Sequence, residues 1–482
     1  MKISFKLFLL MMFIMGIIKA KAQHQYQVVV ENPNTIRVNA TLLVQGKELH
    51  LPIMSADNLP DGPAALIKNI QLTDSNGNQV KVESSKNNGN YFTWQMEKTA
   101  TKLNLQYEID MKHDQYKWPF GVEEISYRTE EGFMIVGRYL FIVPNFGEED
   151  RYAVDFELPK AWSVSSPWST DSTFHFSELS GSELRDNVLF VGTHREEAVT
   201  VGPTTLRLVL GPSLQEDKAT ILSYLRPNME AIGTLFGSAP KSSYLVVMQE
   251  GPIAGGAFNQ SYSMLVEKPI NKASSALWGH GMIHETFHLW NGRGLVPETQ
   301  MEWFKEGVTE YLSIQIQSKT KSLPRKNVEK KLENAYRRYF LATMMGQSSS
   351  LQEAGNNKHQ NRMKIYGLGT FFAFILDIEI RHANQNSKGL DEVMRLMYQE
   401  MAIKEERYTL EDVKRYVNIV AGKNLDTLFE SYVTGTKPLN VNMHLKKGGM
   451  LLSTMFDEAY LDSDPQSSSF GKSIQNAVLG WN

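Results

Sequence analysis

The sequence predicts an α+β protein of several domains: an N-terminal β-sandwich, an α/β domain, and a C-terminal helical region. Three observations carry this. Short runs of β-branched and aromatic residues, many alternating with polar ones, fill the chain from Tyr26 to about Leu210. After Gly211-Pro212 the apolar period becomes helical. The stretch from Ser274 to Tyr311 then carries His284-Glu285-Thr286-Phe287-His288 and, downstream, Trp303-Phe304-Lys305-Glu306-Gly307.

Residues 1–22 have the form of a secretory signal peptide. Lys2 and Lys6 make a positive start, Leu7 to Ile18 an apolar centre, and Ala20-Lys21-Ala22 a small-x-small cleavage pattern. An apolar run of about a dozen residues is too short to span a bilayer of about 30 Å. Cleavage before Gln23 removes four lysines and no acids, which takes the formal net charge from −3 to −7. A mildly acidic chain with no basic block gives no reason to expect nucleic acid, and no other long apolar run argues for a membrane after cleavage. The expected location is periplasmic or secreted. There are no cysteines, which excludes disulfides and leaves any zinc to histidines and carboxylates.

Strands are expected at Tyr26 to Val30, Ile36 to Val44, Phe92 to Met96, Leu103 to Ile109, Phe133 to Val143, Tyr152 to Leu158 and Leu206 to Leu210. Turn clusters such as Asp74-Ser75-Asn76-Gly77-Asn78 punctuate them, as in a β-sandwich over residues 23–211. The α/β domain, which carries the histidine motif, is placed at 212–346. Asp217 to Phe236 reads as an amphipathic helix interrupted at Pro227, and Tyr244 to Met248 as a strand. Gly251 to Gln260 is glycine-dense, which allows a ligand's backbone to approach closely, and leads into Tyr262 to Val266. Val328 to Met345 reads as a helix. The helical domain, 347–438, starts with a polar loop, Ser348 to Asn361, followed by helices at Thr370 to Ile380, Leu390 to Met401 and Thr409 to Val420. Residues 439–482 read as a tail.

The chemistry is in the histidine motif. Residues four apart on a helix share a face, so His284 and His288 can offer two imidazole nitrogens to one metal ion, with Glu285 beside them as a general base. Ser274 and Ser275 are plausible N-caps, and Asn291-Gly292 is a stop. His280 also precedes His284 by four, but Gly281 stands where that register would need its base. His280 therefore reads as a wall or ordinary helix histidine. A catalytic zinc keeps three protein ligands and an open position. Glu306 is the expected third ligand, and Glu310, one turn on, a carboxylate holding the free N–H of a ligand histidine. The plain alternative is a solvated stripe of Glu302, Glu306 and Glu310 beside a chance motif.

These residues, His284 to Asn291 and Trp303 to Tyr311, resemble the bacterial glycyl aminopeptidase family. These are zinc metallopeptidases of the gluzincin group, related to thermolysin and the alanyl aminopeptidases. The resemblance implies an N-terminal β domain, a thermolysin-like α/β catalytic domain, one Zn2+ and a peptide substrate. It also implies that Gly255, Gly256, Ala257 and Phe258 match the edge-strand segment that binds the substrate main chain. In the family that segment ends in a glutamate that holds the peptide's amino group; Phe258 stands there instead. Tyr366, in Tyr-x-x-Gly before a helix carrying Asp377 and Arg381, matches the family's oxyanion-binding phenol. The family's C-terminal PDZ domain has no room here. The expectation is a zinc peptidase, aminopeptidase-like but with altered N-terminus recognition. The runner-up is a zinc-stabilised peptide-binding protein with little catalytic activity.

Overall fold

The computed structural model describes residues 24–53, 60–87, 91–113, 125–169, 173–238, 243–358, 360–404 and 406–481. The expected signal peptide lies outside the described residues. Within them, no helix is long and apolar enough to cross a membrane.

The N-terminal domain is built on a six-stranded sheet, in which His24–Asn32 pairs parallel to Tyr152–Glu157 and antiparallel to Thr35–Leu43. Lys102–Asp110 extends it on the far side of Thr35–Leu43. Alternation decides the faces: Tyr26, Val28, Val38, Leu42, Leu105 and Tyr107 are buried in one core, while amides such as Gln27 and Asn39 lie on the other face and bond one another. Four- and three-stranded sheets complete the domain. The buried phenols of Tyr26 and Tyr107 donate to the carbonyls of Ile142 and Leu140, at 2.8 and 2.7 Å. Those acceptors mark a departure from the expected long strand. Only Gly132–Val136 is a strand, and Gly137–Tyr139 is a 3-10 turn. At Gly137 the backbone lies against the Leu184 carbonyl, so closely that a Cβ would come within 2.0 Å of it.

The second sheet has five strands, in the order Glu196–Val201, Thr204–Leu210, Ser243–Glu250, Ser261–Val266, Ala254–Ala257. Its inner three strands are parallel and its two edges antiparallel. The first two strands thus belong to this sheet, although a boundary at residue 211 would assign them to the N-terminal domain. Val199, Leu206, Leu208 and Leu210 sit in the core of the second half.

One helix, Lys218–Phe236, runs unbroken through Pro227. Its buried face, Ile221, Leu225, Met229, Ile232 and Phe236, holds both halves against the same core. That packing outweighs the roughly 3 kcal/mol penalty of an internal proline. Behind the sheet, the helices Glu302–Lys319, Arg325–Met344 and Arg362–Ala383 pack on one another. Residues 439–482 are no loose tail. A short helix, a hairpin (Met450–Met455 with Glu458–Ser463) and the helix Ser469–Val478 fold onto this bundle. The Tyr311 phenol and the Gln315 amide donate to carbonyls of that last helix.

Candidate active site

The motif helix is Trp278–Phe287, with His288 at its C-cap. It is shorter than the span from the Ser274 and Ser275 caps to the Asn291-Gly292 stop, and the serines bond back into the preceding turn: the Ser274 hydroxyl turns to Pro269 and Asn271, and Ser275 Oγ donates to the Lys272 carbonyl at 2.8 Å. Residues 274–276 form only a 3-10 turn. After the helix the chain reverses at Gly292, with φ +142°, where a Cβ would stand 3.3 Å from His288 Nδ1 and only glycine is unstrained.

His284 Nε2 and His288 Nε2 lie 3.2 Å apart, and each is 3.3 Å from Glu306 Oε2. All three residues are buried, and they form a grouping of possible metal ligands among the described residues. A metal 2.0–2.1 Å from each of two imidazole nitrogens at a tetrahedral angle requires them about 3.3 Å apart. The donor set therefore fits zinc. Each outer nitrogen is tied down: His284 Nδ1 faces Glu310 Oε2 at 2.9 Å, and His288 Nδ1 faces the Asn291 carbonyl at 2.8 Å. This is the arrangement that fixes tautomer and ring orientation in metal sites.

Around this trio lie partners that sequence reasoning missed. His280 Nε2 sits 2.9 Å from Glu310 Oε1, and its Nδ1 2.9 Å from Gln317 Nε2, so it positions Glu310 instead of merely lining a wall. Lys358 Nζ donates to Glu306 Oε1 at 2.7 Å. Lys358 lies within the segment expected to be loop, Ser348 to Asn361, which contains the short helix Leu351–Ala354 with a Ser350–Glu353 capping box. The Ser-x-x-Glu spacing was the signal for that helix.

Tyr366 OH donates to Glu306 Oε2 at 2.8 Å. It can reach because Gly307 and Gly369 let the helices Glu302–Lys319 and Arg362–Ala383 touch backbone to backbone. A Cβ on Gly307 would fall 2.4 Å from the Gly369 carbonyl carbon. Tyr366 is inside that helix, not ahead of it.

The electrostatics favour positive charge at the trio. Burial would lower the His284 pKa, but hydrogen bonds to Glu306 and Glu310 carry it up to about 10. Burial opposes ionisation of Glu306 too, yet Lys358 and the histidines hold it well below the usual carboxylate range. Burial, then Glu306, keeps the Tyr366 phenol protonated far above its ordinary value.

The trio opens on a cleft of about 250 Å3 whose lining includes Glu285, His288, Glu306 and Tyr366. Gly255, Gly256 and Ala257 form its far wall, on the edge strand paired with Tyr262 to Leu265. A Cβ added at Gly255 would lie 3.6 Å from Glu285 Oε1, so this point of the strand directly faces the acid. Phe258 also lines the cleft, but its side chain is only 3% exposed and belongs to the N-terminal core. The ring is packed between domains, with the Arg138 guanidinium 5.3 Å above it.

Residues 18–187 match the family model Peptidase M61 N-terminal domain. Over 90% of this chain and 79% of the other, the fold superposes on an aminopeptidase N family protein from Idiomarina loihiensis, with TM-score 0.74 at 17% identity. The chain has a gluzincin-type peptidase fold. An M1 zinc metallopeptidase variant from Deinococcus radiodurans, bound to a Tyr-Ser-Ala substrate, superposes with TM-score 0.53 at 11% identity, over 87% of this chain and 95% of that one. The unsubstituted enzyme of the same organism gives 0.52 at 11% identity, over 87% and 94%. Among curated proteins, no sequence match was found. The family model and the fold together support a metallopeptidase.

Proposed function

We propose that this chain is an exported zinc peptidase whose working residues are those gathered at the cleft. The observation that carries the reading is the convergence of three buried ligand atoms, of His284, His288 and Glu306, within 4.8 Å of one another beside Glu285. Zinc held there supplies Lewis acidity to a water and to the scissile carbonyl. Glu285, next along the helix and facing the glycine strand, takes the proton from that water and passes it to the leaving amine. The substrate main chain lies along Gly255 and Gly256, whose missing side chains leave backbone groups open for strand-like pairing. Tyr366 gives its phenolic hydrogen bond, held on Glu306 in the free protein, to the carbonyl oxygen as charge builds on it. Glu310, fixed by His280, keeps His284 in the tautomer that presents Nε2.

Glu285→Gln tests the reading. Hydrolysis of a mixed peptide library should be lost while zinc content stays at the wild-type level, because Glu285 is assigned as base and not as ligand. Wild-type turnover in the variant would sink it. The fold comparisons do not favour the runner-up, a zinc-stabilised binding protein, and such a protein has no use for a base against its edge strand. Export rests on residues 1–22 and is checked separately. The first residue of the protein recovered outside the cytoplasm should be Gln23; an intact Met1 there would remove the export claim.

A further inference from the structure

The cleft carries more positive than negative charge, on a protein whose formal net charge is −3. Glu285 and Glu306 are its only acids among the described lining residues, against Arg138, Arg293, Lys305, Lys358 and Arg362. The two lysines are committed, since both contact Glu302 and Glu306. The arginines at the Phe258 end are placed differently. Arg138, from the N-terminal domain, lies over the Phe258 ring, and its one ion pair among the described residues is a half-exposed contact with Asp186 at 3.4 Å. Its Nε is buried without a hydrogen-bond partner. Arg293 is exposed on the loop after the motif and lies against the Tyr244 phenol, which itself donates to the Phe258 carbonyl at 3.2 Å. Two guanidinium groups from different domains thus flank the end of the edge strand. A planar fork of donors suits a carboxylate, and a cationic amine placed there would meet like charge.

We propose that this end of the cleft recognises a carboxylate of the peptide, through Arg138 and Arg293, and so selects anionic peptides and disfavours a free N-terminal amine. This rests on the peptidase reading above and specifies its substrate class. A carboxylate reaches the cleft either on an Asp or Glu side chain or at a peptide's C-terminus, and the arms of the test separate these.

The zinc-loaded full chain is given alanine-rich peptides blocked at both ends that carry Glu, Gln or Lys at each position in turn. The neutral peptide is also offered with its C-terminus free and with its amine free. kcat/KM is measured with the wild type, and binding by calorimetry with Glu285→Gln. Some Glu peptide or the free C-terminus should be favoured by about tenfold or more over its neutral partner, with the preference shrinking as salt rises. Arg293→Gln should erase most of that preference. Arg138→Lys should retain part of it where Arg138→Gln does not; if the Arg138 variants fail to fold, the exposed Arg293 decides the point. Equal handling of Glu and Gln peptides, a preference for Lys, or a free-amine preference of about a hundredfold would overturn the proposal. Hydrolysis without charge preference sinks this inference alone. Charge-selective binding without hydrolysis of any peptide sinks the peptidase reading and leaves this one standing.

Discussion

Glu306 and Glu379 are both buried glutamates that face a histidine and a lysine, yet their surroundings differ in kind. Glu379 Oε1 lies 2.6 Å from His444 Nδ1, and Lys447 Nζ donates to both carboxylate oxygens at 2.8 Å. The other nitrogen of His444 faces the Tyr432 phenol at 3.3 Å. Every acceptor there has a protein donor, and the cluster is closed. At Glu306 one oxygen takes Lys358, while the other takes the Tyr366 phenol and also shares its space with two imidazole nitrogens 3.2 Å apart. With both Nδ1 atoms committed, two neutral imidazoles and a carboxylate meeting in this way turn lone pairs toward one another, and hydrogen bonds among neutral imidazoles cannot relieve that. A cation can. The difference between a closed ion cluster and a candidate metal site thus lies in convergence of acceptors, not in burial or composition.

Breaking that convergence should have the largest effect. Glu306→Ala should lose zinc and hydrolysis together, read by metal analysis and turnover. Metal retained at wild-type affinity would move the third ligand to Glu302 or Glu310. Tyr366→Phe comes next: it keeps the ligand atoms and removes one donor, so kcat should fall roughly 10²–10³-fold with little change in KM. An unchanged kcat would return Tyr366 to holding Glu306 in place.

The smallest effect sharpens the comparison from the other side. Glu379→Gln should leave zinc content and turnover alone and cost about 1–3 kcal/mol of stability in denaturant unfolding, a figure kept low because Lys447 is partly solvent-screened. Burial works against the Glu379 charge, but His444 and Lys447 hold its pKa below the ordinary 4.5. A carboxylate depressed in the folded state contributes stability above its unfolded pKa and loses it as pH falls through the folded value. The gap in melting temperature between wild type and variant should therefore be full at neutral pH and close below about pH 4.5. A gap that does not change with pH would mean the cluster acts by packing alone.

How much of this was legible in the sequence depended on distance along the chain. The motif histidines, Glu306 and Glu310 lie on two successive helices within 27 positions, and local periodicity puts each pair on one face of its helix. Helices Leu390–Met401 and Leu410–Ala421 were readable for the same reason. Lys358 and Arg138 were not. One reaches Glu306 across 52 positions and the other comes from a different domain, so nothing local marks them. Phe258 shows the converse failure. Matching it to a glutamate position made it a substrate contact, whereas the packing of two domains makes it core. The tail was misjudged because its polar residues cover a small apolar face, Leu452, Leu461, Ile474 and Val478, that reads as core only once the bundle it covers is known.

The junction around Phe258 also has a mechanical meaning. The Asn187 side-chain oxygen accepts from the Gln260 amide at 2.7 Å and the Ser261 hydroxyl at 3.0 Å. The Asn259 amide donates to the Asp186 carbonyl at 2.6 Å. Those bonds grip the chain immediately beyond the glycine strand that walls the cleft. The position of the wall opposite Glu285 is therefore tied to the N-terminal domain by direct hydrogen bonds, so that domain helps to set the width of the cleft.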